Sequence, residues 1–213
     1  MPRDNPHVLV MGVGNLLWAD EGFGVRCVEA FARRFAENEQ LEILDGGTQG
    51  LALVPYVARA THLLLFDAVD CGASPGSLVL RRDGEVRGSV GAEKMSLHQA
   101  GMSDVLACAE LMGRLPRHIT LIGVQPVQLE DYGGSLTAPV RAQIEPAIAA
   151  AVAELARWRV AVGARDAADA RGATVVPAGP IGLEHYESGR PSAEAACRTG
   201  DARVLTRARQ ELP

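Results

Sequence analysis

Short apolar runs alternate with longer stretches of helical spacing along most of this chain, and this alternation limits the fold more than any other feature. Apolar runs of strand length occupy 7–13, 41–44, 61–66, 77–81 and 118–127. Helix-type spacing starts at Gly22, near Met102 and at Thr137, and a brief helix is expected over 51–57. This pattern predicts a three-layer α/β fold, with a mostly parallel, five-stranded twisted sheet flanked by helices.

Turn residues set the expected ends of several elements. The run over 77–81 follows Ser74-Pro75-Gly76, and we expect it at an edge of the sheet. The strand within 118–127 must end by Pro126, because proline has no amide hydrogen to give to the strand ladder. Pro146 predicts a kink or a new start in the last helix.

The helical pattern ends near Arg159 and divides the chain into two regions. Residues 1–159 are predicted to form the α/β domain, and residues 160–213 a loosely ordered C-terminal tail. One short helix is expected in the tail near 202–210. A sparse set of apolar residues in the tail is suited to docking against the domain: Val175, Val176, Ile181, Leu183 and Tyr186.

Composition excludes several classes of protein. Hydrophobic residues make up 47% of the chain and charged residues 22%, a globular balance. No apolar run approaches the roughly 20 residues of a membrane-spanning helix, and no secretory signal is visible, so we expect a cytoplasmic protein with reduced thiols. The net charge of -5 argues against a broad nucleic-acid surface. The cysteines form no C-x-x-C pair, which argues against a cysteine zinc site.

Three polar residues are expected at the edge of the sheet where parallel strands end. Glu21 lies between the first strand and the following helix, Asp67 directly follows the apolar run THLLLF, and His98 falls at the start of a helix. In α/β sheets, sites form outside the carboxyl ends of the strands. One glutamate, one aspartate and one histidine suit zinc, nickel or a similar borderline metal, with open coordination positions left over.

Each of these residues also has a local structural explanation. Asp20 and Glu21 would complement a helix dipole, Asp67 would cap a turn, and His98 would hydrogen-bond at a helix start. Ser96 and Gln99 have the spacing of a capping box around that histidine.

Other catalytic or cofactor motifs are incomplete or absent. Gly12 and Gly14 invite a dinucleotide interpretation, but Leu17 stands where the fingerprint requires a third glycine. The sequence has no G-x-S-x-G nucleophile elbow and no phosphate-binding G-x-x-x-x-G-K-[ST] loop. None of these motifs therefore supports nucleophile or nucleotide chemistry, and the glutamate, aspartate and histidine set lacks a local metal signature such as H-E-x-x-H.

Blocks of sequence from about Val8 to Leu155 resemble one known family, in the family's order. The blocks are VLVMGVGNLLWADEGFGVRCVEAF, LDGGTQG, LLLFDAVD, PGSLVLRRD, SLHQAGMSDVLA and LIGVQPVQLEDYGGSLTAPV. They resemble the nickel-iron hydrogenase maturation proteases, endopeptidases that trim the hydrogenase large subunit.

The resemblance implies a specific activity and site. Such proteases have an α/β fold and remove a short C-terminal extension from the large-subunit precursor after nickel insertion. Their metal-binding glutamate, aspartate and histidine correspond here to Glu21, Asp67 and His98. Asp45 of LDGGTQG matches a further family acid, which we expect to orient or deprotonate a water.

The resemblance implies that the nickel is carried by the precursor and docks against the three ligands. It implies a partner, the hydrogenase large-subunit precursor, whereas the net charge of -5 argues against a nucleic-acid partner. Two alternatives use the same residues: a non-catalytic nickel chaperone or scaffold acting on that subunit, and, less favoured, a small-molecule metallohydrolase.

Overall fold

The computed structural model describes residues 6–89, 99–165 and 182–189. Its strands are β1 Val8–Val13, β2 Phe35–Ala36, β3 Leu41–Gly47, β4 His62–Ala68, β5 Leu78–Arg82, β6 His118–Val124 and β7 Gly163–Ala164. Its α-helices are α1 Phe23–Arg34, α2 Val54–Arg59, α3 Gly84–Ser89, α4 Gln99–Leu111, α5 Ala138–Arg141, α6 Ile144–Arg157 and α7 Leu183–Gly189. Two 3-10 helices, Ala19–Gly22 and Gly50–Leu53, precede α1 and α2.

The main sheet confirms the predicted architecture. It has five strands in the order β3-β1-β4-β6-β5. Neighbours run parallel except β5, which is antiparallel to β6 and lies at the edge, as the turn before it predicted. The strand over 118–127 ends at Val124, before Pro126. Pro146 lies in the first turn of α6, which restarts the helix after the short α5.

Helices cover both faces of this sheet and form two cores. Val8, Val10 and Phe66 pack with α1 and α6 on one face. Leu9 and Met11 pack with α2 and α4 on the other. Because side chains alternate along a strand, each strand residue can be assigned to the α1 face or the α4 face.

A buried carboxylate fastens the antiparallel edge strand to the α1 face. Glu154 of α6 accepts hydrogen bonds from Arg82 of β5, from Thr120 of β6 and from Arg157. Burial acts to raise the pKa of Glu154, but the hydrogen bonds from Arg157, Arg82 and Thr120 outweigh it and lower the pKa. The carboxylate therefore stays charged where β5 meets the helix layer.

Aromatic and imidazole rings close the opposite, amino edge of the sheet. His62 and His118 start neighbouring strands in register, and their rings stack with centroids 4.9 Å apart. Trp158 packs against His62 at 5.0 Å, and the Thr61 hydroxyl lies 2.8 Å from His62 Nδ1. Burial, followed by the charges of His118 and Arg117, lowers the pKa of His62.

Helix α7 contacts the domain from within the predicted tail. The Tyr186 ring lies 5.8 Å from the guanidinium carbon of Arg26, and its hydroxyl donates to Gly134 O at 3.3 Å. Glu187 forms an ion pair with Arg141 and accepts a hydrogen bond from Ser135. Leu183 and Tyr186, expected to dock, lie in this helix; the helix expected near 202–210 falls outside the described residues. Within the described part of the chain, no helix has the length and apolar character needed to cross a membrane.

Candidate functional site

Helix α1 begins directly against the carboxyl ends of the central strands. A side-chain carbon at Gly24 would overlap two backbone oxygens, those of Val13 in β1 and Phe66 in β4. Since neither oxygen can move without moving its strand, only glycine permits this approach. The close packing brings the connection between β1 and α1 onto the end of β4.

Glu21 lies in that connection, within the 3-10 helix Ala19–Gly22, which contacts β4. Its side chain is buried, since only 7% of the residue is exposed. Glu21 therefore does not face an open cleft, as a solvent-accessible metal ligand would. Ala19, the first residue of the 3-10 helix, has a φ of 43°, a left-handed conformation that costs a non-glycine residue roughly 1–3 kcal/mol. The surrounding packing holds this strained turn and thereby fixes Glu21.

Asp67 lies within β4 rather than after it, in register with Gly123 of β6. Phe66 and Ala68 pack into the α1 face and Leu65 and Val69 into the α4 face. Alternation therefore assigns Asp67 to the α4 face. It is 3% exposed, and its Oδ1 accepts the Ala68 N–H at 2.8 Å.

His98, the third predicted ligand, lies outside the described residues, and α4 begins at the next residue, Gln99. No group of three or more histidine, cysteine, aspartate or glutamate side chains in the described ranges is arranged to hold a metal. The structure thus brings Glu21 and Asp67 onto adjoining elements, while the three-ligand set remains a prediction. Carboxylate oxygens ligate zinc-like metals alongside histidine nitrogen, so Glu21 and Asp67 fit the oxygen part of the predicted ligand set.

Asp45 lies on β3 and belongs to the other face. It is in register with Gly12, whose absent side chain would overlap Gly24 O of α1, so Asp45 is assigned to the α1 face. Its Oδ1 accepts the Gly47 N–H at 2.9 Å. Burial raises the pKa of Asp45, and the Gly47 hydrogen bond and the Arg26 charge offset part of that rise. Asp45 therefore stabilises the DGGT turn through its hydrogen bond to Gly47, and its pKa responds to the charge of Arg26 on α1.

A buried ion pair on α1 adjoins Asp45, and the sequence analysis did not identify it. Arg26 Nη1 donates to both carboxylate oxygens of Glu29 at 3.0 Å, and the two residues are 4% and 1% exposed. Burial raises the pKa of Glu29, while the charge and hydrogen bond of Arg26 oppose that rise. The i,i+3 spacing of opposite charges was the available signal, but such pairs are usually exposed.

Asp20 fastens a long loop beneath the site. Its carboxylate is completely buried and accepts hydrogen bonds from the backbone N–H groups of Val127 and Gln128, each at 2.9 Å, and of Thr137 at 2.7 Å. The Thr137 hydroxyl donates to it at 3.1 Å. The expectation that Asp20 serves a helix dipole missed this role, because its partners lie more than 100 residues further along the chain.

Gln125 performs the same task for the loop after β4, and the sequence analysis also missed it. Its side-chain oxygen accepts the N–H groups of Cys71 and Ala73 at 3.0 and 3.1 Å, and its amide donates to Asp70 at 3.0 Å. A polar residue between an apolar strand and a proline was the only local signal. The loops that follow β4 and β6 at the carboxyl edge are therefore held in place by buried polar side chains.

Apolar side chains project from the fastened loops into solvent. Leu17, Val127 and Tyr132 are 43%, 47% and 55% exposed. They lie on connected backbone, since Gly133 N–H donates to Leu17 O at 2.7 Å and Asp20 holds Val127. Trp18 packs edge-on against Tyr132 with ring centroids 5.3 Å apart. This surface suits contact with a macromolecule, because exposed apolar groups gathered together mark interaction sites.

Comparison with known proteins gives a consistent result. The sequence profile of hydrogenase maturation proteases matches residues 25–154. A hydrogenase expression/formation protein HoxM from Azotobacter vinelandii is 52% identical over 200 residues, covering 94% of this chain and 95% of its own. HupD from Rhodobacter capsulatus is 52% identical and covers 96% of both chains. The structure of the E. coli hydrogenase maturating endopeptidase HybD superposes with a TM-score of 0.69 and 41% identity, covering 75% of this chain and 98% of that one.

The alignments with HoxM and HupD extend the family resemblance beyond the blocks found between Val8 and Leu155. They cover 94% and 96% of this chain, so they include part of residues 160–213. HybD covers 75% of this chain. At least part of the predicted tail is therefore shared with the HoxM and HupD relatives.

Proposed function

This chain belongs to the hydrogenase maturation protease family, and from that membership we propose that it removes a C-terminal extension from the nickel-loaded large-subunit precursor of a [NiFe] hydrogenase. The observation that carries the proposal is the pair of buried carboxylates, Glu21 and Asp67, on adjoining elements at the carboxyl edge of a family-matched chain. We further propose that the reaction takes place in the cytoplasm.

The nickel belongs to the substrate in this proposal. Glu21, Asp67 and His98 complete its coordination, and a nickel ion held there supplies Lewis acidity toward the scissile carbonyl or a water. Burial of Glu21 and Asp67 supports this role, because carboxylates shielded from water interact strongly with a cation that enters. A precursor without nickel lacks the shared ligand and is not held productively.

Asp45 acts on the reaction indirectly in this proposal. Its raised pKa would suit a group that accepts a proton from water. Its assignment to the α1 face, opposite the face of Asp67, favours a positioning role through the DGGT turn. Asp45→Asn keeps an oxygen for the Gly47 N–H, so a positioning role predicts a modest loss of activity. A large loss with unchanged thermal stability would return Asp45 to the role of base.

The substrate is a folded protein rather than a small molecule. The exposed apolar side chains Leu17, Val127 and Tyr132 support docking of a large partner next to Glu21. A self-sufficient metalloprotease would hold its own ion and cut many peptides. We therefore expect that added zinc or nickel does not make this chain cut casein, and steady casein cleavage would contradict a substrate-borne metal.

The deciding experiment incubates the purified chain with nickel-loaded and nickel-free precursor and follows the precursor mass. A loss matching a C-terminal peptide, only with nickel, is the expected result. Metal transfer without mass loss would instead support the chaperone alternative. Glu21→Gln and His98→Ala should each lower the rate about 100-fold or more, since the first removes the charge of a proposed metal ligand and the second removes the ligand itself. Asp104→Asn, an exposed acid on α4, is the matched control.

Thermal unfolding of the same variants separates chemistry from structure. Glu21→Gln keeps the size of the buried side chain, so its unfolding should stay cooperative, with Tm near that of the parent. Loss of cooperative unfolding in Glu21→Gln would assign Glu21 a structural role. Normal processing by His98→Ala would remove that histidine from the ligand set.

A further inference from the structure

A small cavity opens on the α4 face beside the proposed site. It has a volume of about 120 Å³ and lies between the end of β1, the turn after β3 and the start of α4. Its walls are Val13, Gly47, Thr48, Gly50, Leu53, Gly101 and Met102. None of these described wall residues carries a charge, and only Thr48 has a polar side chain.

The cavity exists because glycines face each other across it. Gly101 lies in the first turn of α4, and a side-chain carbon there would lie 3.5 Å from the Cα of Gly50. That distance is ordinary van der Waals contact. The backbones of Gly50 and Gly101 therefore lie close together, and no side chain from either residue occupies the cavity beside them. The remaining space equals roughly four water volumes of about 30 Å³ each, which is room for the heavy atoms of one aliphatic side chain.

The position of the cavity relates it to the cleavage chemistry. Val13 pairs with Gly47, and its neighbour Gly12 pairs with Phe66, the residue before Asp67. Val13 and Asp67 are both assigned to the α4 face, on adjacent strands about 4.8 Å apart. A peptide in extended conformation advances about 3.3 Å per residue. A side chain within about three residues of a bond held at Asp67 therefore reaches the cavity.

We propose that this cavity is a specificity subsite that receives one aliphatic side chain of the precursor, close to the cleaved bond. The inference rests on the proposed function. The described wall residues carry no charge, so a charged side chain would lose part of its hydration there without gaining a counter-ion among them. The apolar walls Val13, Leu53 and Met102 favour a branched or unbranched aliphatic group over alanine.

The test pairs changes in the cavity with changes in the precursor. Each precursor residue within three positions of the cleaved bond is replaced in turn by alanine, and kcat/KM is measured with the parent enzyme. The proposal predicts that one aliphatic position shows a preference of about 10- to 100-fold over alanine, the range typical of hydrophobic pockets. In Gly101→Val, which fills the cavity, this preference should fall below about threefold.

Three further variants make the result specific. Gly101→Ala adds a carbon in ordinary contact and should keep most of the preference. Ala107→Val adds the same branched group at an exposed position of α4 and should keep all of it. Thr48→Leu narrows the cavity from an exposed wall residue and should repeat the effect of Gly101→Val if that variant folds poorly.

The outcomes separate this inference from the proposed function. If the parent cleaves the precursor but shows no aliphatic preference, or keeps it in Gly101→Val and Thr48→Leu, the subsite is overturned and the protease stands. If the parent cleaves no precursor, the proposed function fails. In that case, the Kd of each alanine-substituted precursor is measured with the parent and with Thr48→Leu. Loss of the aliphatic preference in Thr48→Leu would support the subsite, and an unchanged preference would overturn it.

Discussion

At the carboxyl edge of the sheet, the polar side chains are almost completely buried and bind the backbone of distant loops, as in Asp20 and Gln125. At the amino edge, partly solvated rings of His62, His118 and Trp158 pack against one another. The same parallel strands thus end in two kinds of surface. Around the proposed site, where loops must be held in place, the chain buries polar groups and satisfies their hydrogen bonds. Where it only closes the core, ring packing suffices.

The largest expected effect comes from the contact that brings α1 onto the strand ends. Gly24→Ala places a carbon against the backbone oxygens of Val13 and Phe66, so α1 must move off the sheet. We expect a loss of about 4 kcal/mol or more in the free energy of unfolding, seen as insoluble expression or a strongly lowered Tm. Gly84→Ala is the control, because nothing lies within 4 Å of the added carbon. A normal Tm for Gly24→Ala would mean that α1 can move away from the strand ends at little cost in stability.

Removing the hydrogen bonds that Asp20 accepts at the same edge should lower the free energy of unfolding by a smaller amount. Asp20→Ala leaves the buried N–H groups of Val127, Gln128 and Thr137 without their acceptor. At about 1–3 kcal/mol for each unsatisfied buried group, partly recovered by loop relaxation, we expect about 3 kcal/mol of lost stability in urea unfolding. Precursor cleavage should also slow, because the apolar loop beside Glu21 is released. Unchanged cleavage with lowered stability would restrict Asp20 to folding.

Removing the C-terminal region should have a smaller effect. We propose that residues after 165 are dispensable for the cleavage chemistry, and that α7 steadies the loop at Gly134 and Ser135. A chain ending at residue 165 should fold and cut nickel-loaded precursor, with KM raised roughly threefold to tenfold, the size of about 1 kcal/mol of lost ordering. Glu187→Gln should give part of this change, and His185→Gln, an exposed neighbour, none. A truncated chain that binds precursor normally but cannot cut it would place a catalytic group in the tail.

The smallest effect belongs to the amino edge and depends on pH. The folded-state pKa of His62 lies below the unfolded value of about 6.5. The unfolded chain therefore binds more protons as pH falls through about 6.5, and His62 destabilises the fold below that pH. His62→Phe keeps the ring packing and should flatten the fall in Tm between about pH 7 and pH 5. An equal flattening in His185→Gln would show that another group causes it.

The fold was largely predictable because its signals are local. Apolar runs such as 61–66 predicted the strands of a mostly parallel sheet, and the turn before 77–81 predicted the edge position of β5. The extent of strands was harder to predict: Asp67 lies within β4 because pairing with Gly123 continues beyond the apolar run. Helices that depend on long-range contacts rather than on a local pattern were not predicted, and α7 is the clearest case.

The site was predictable only as residue types at an edge. Nothing near Asp20 in sequence announces that its partners are Val127 and Thr137, because such hydrogen bonds exist only once the chain has folded. Nor does local sequence separate Asp45 from Asp67 by face, since that depends on strand register. The buried pair Arg26 and Glu29 resembles an ordinary surface pair until α7 and Asp45 are placed around it.

The 3-10 helix Ala19–Gly22 makes this connection sensitive to its length. Successive residues in such a helix point about 120° apart, so Asp20 and Glu21 face different surroundings although they are neighbours in sequence. Inserting or deleting one residue before Asp20 would rotate both acids by about 120°, so that neither would keep its surroundings. The hydrogen bonds of Asp20 to the distant loop and the proposed metal ligand Glu21 would be lost together. Libraries that vary this segment should therefore tolerate substitutions at Leu16 or Leu17 far better than any change in the number of residues between Trp18 and Phe23.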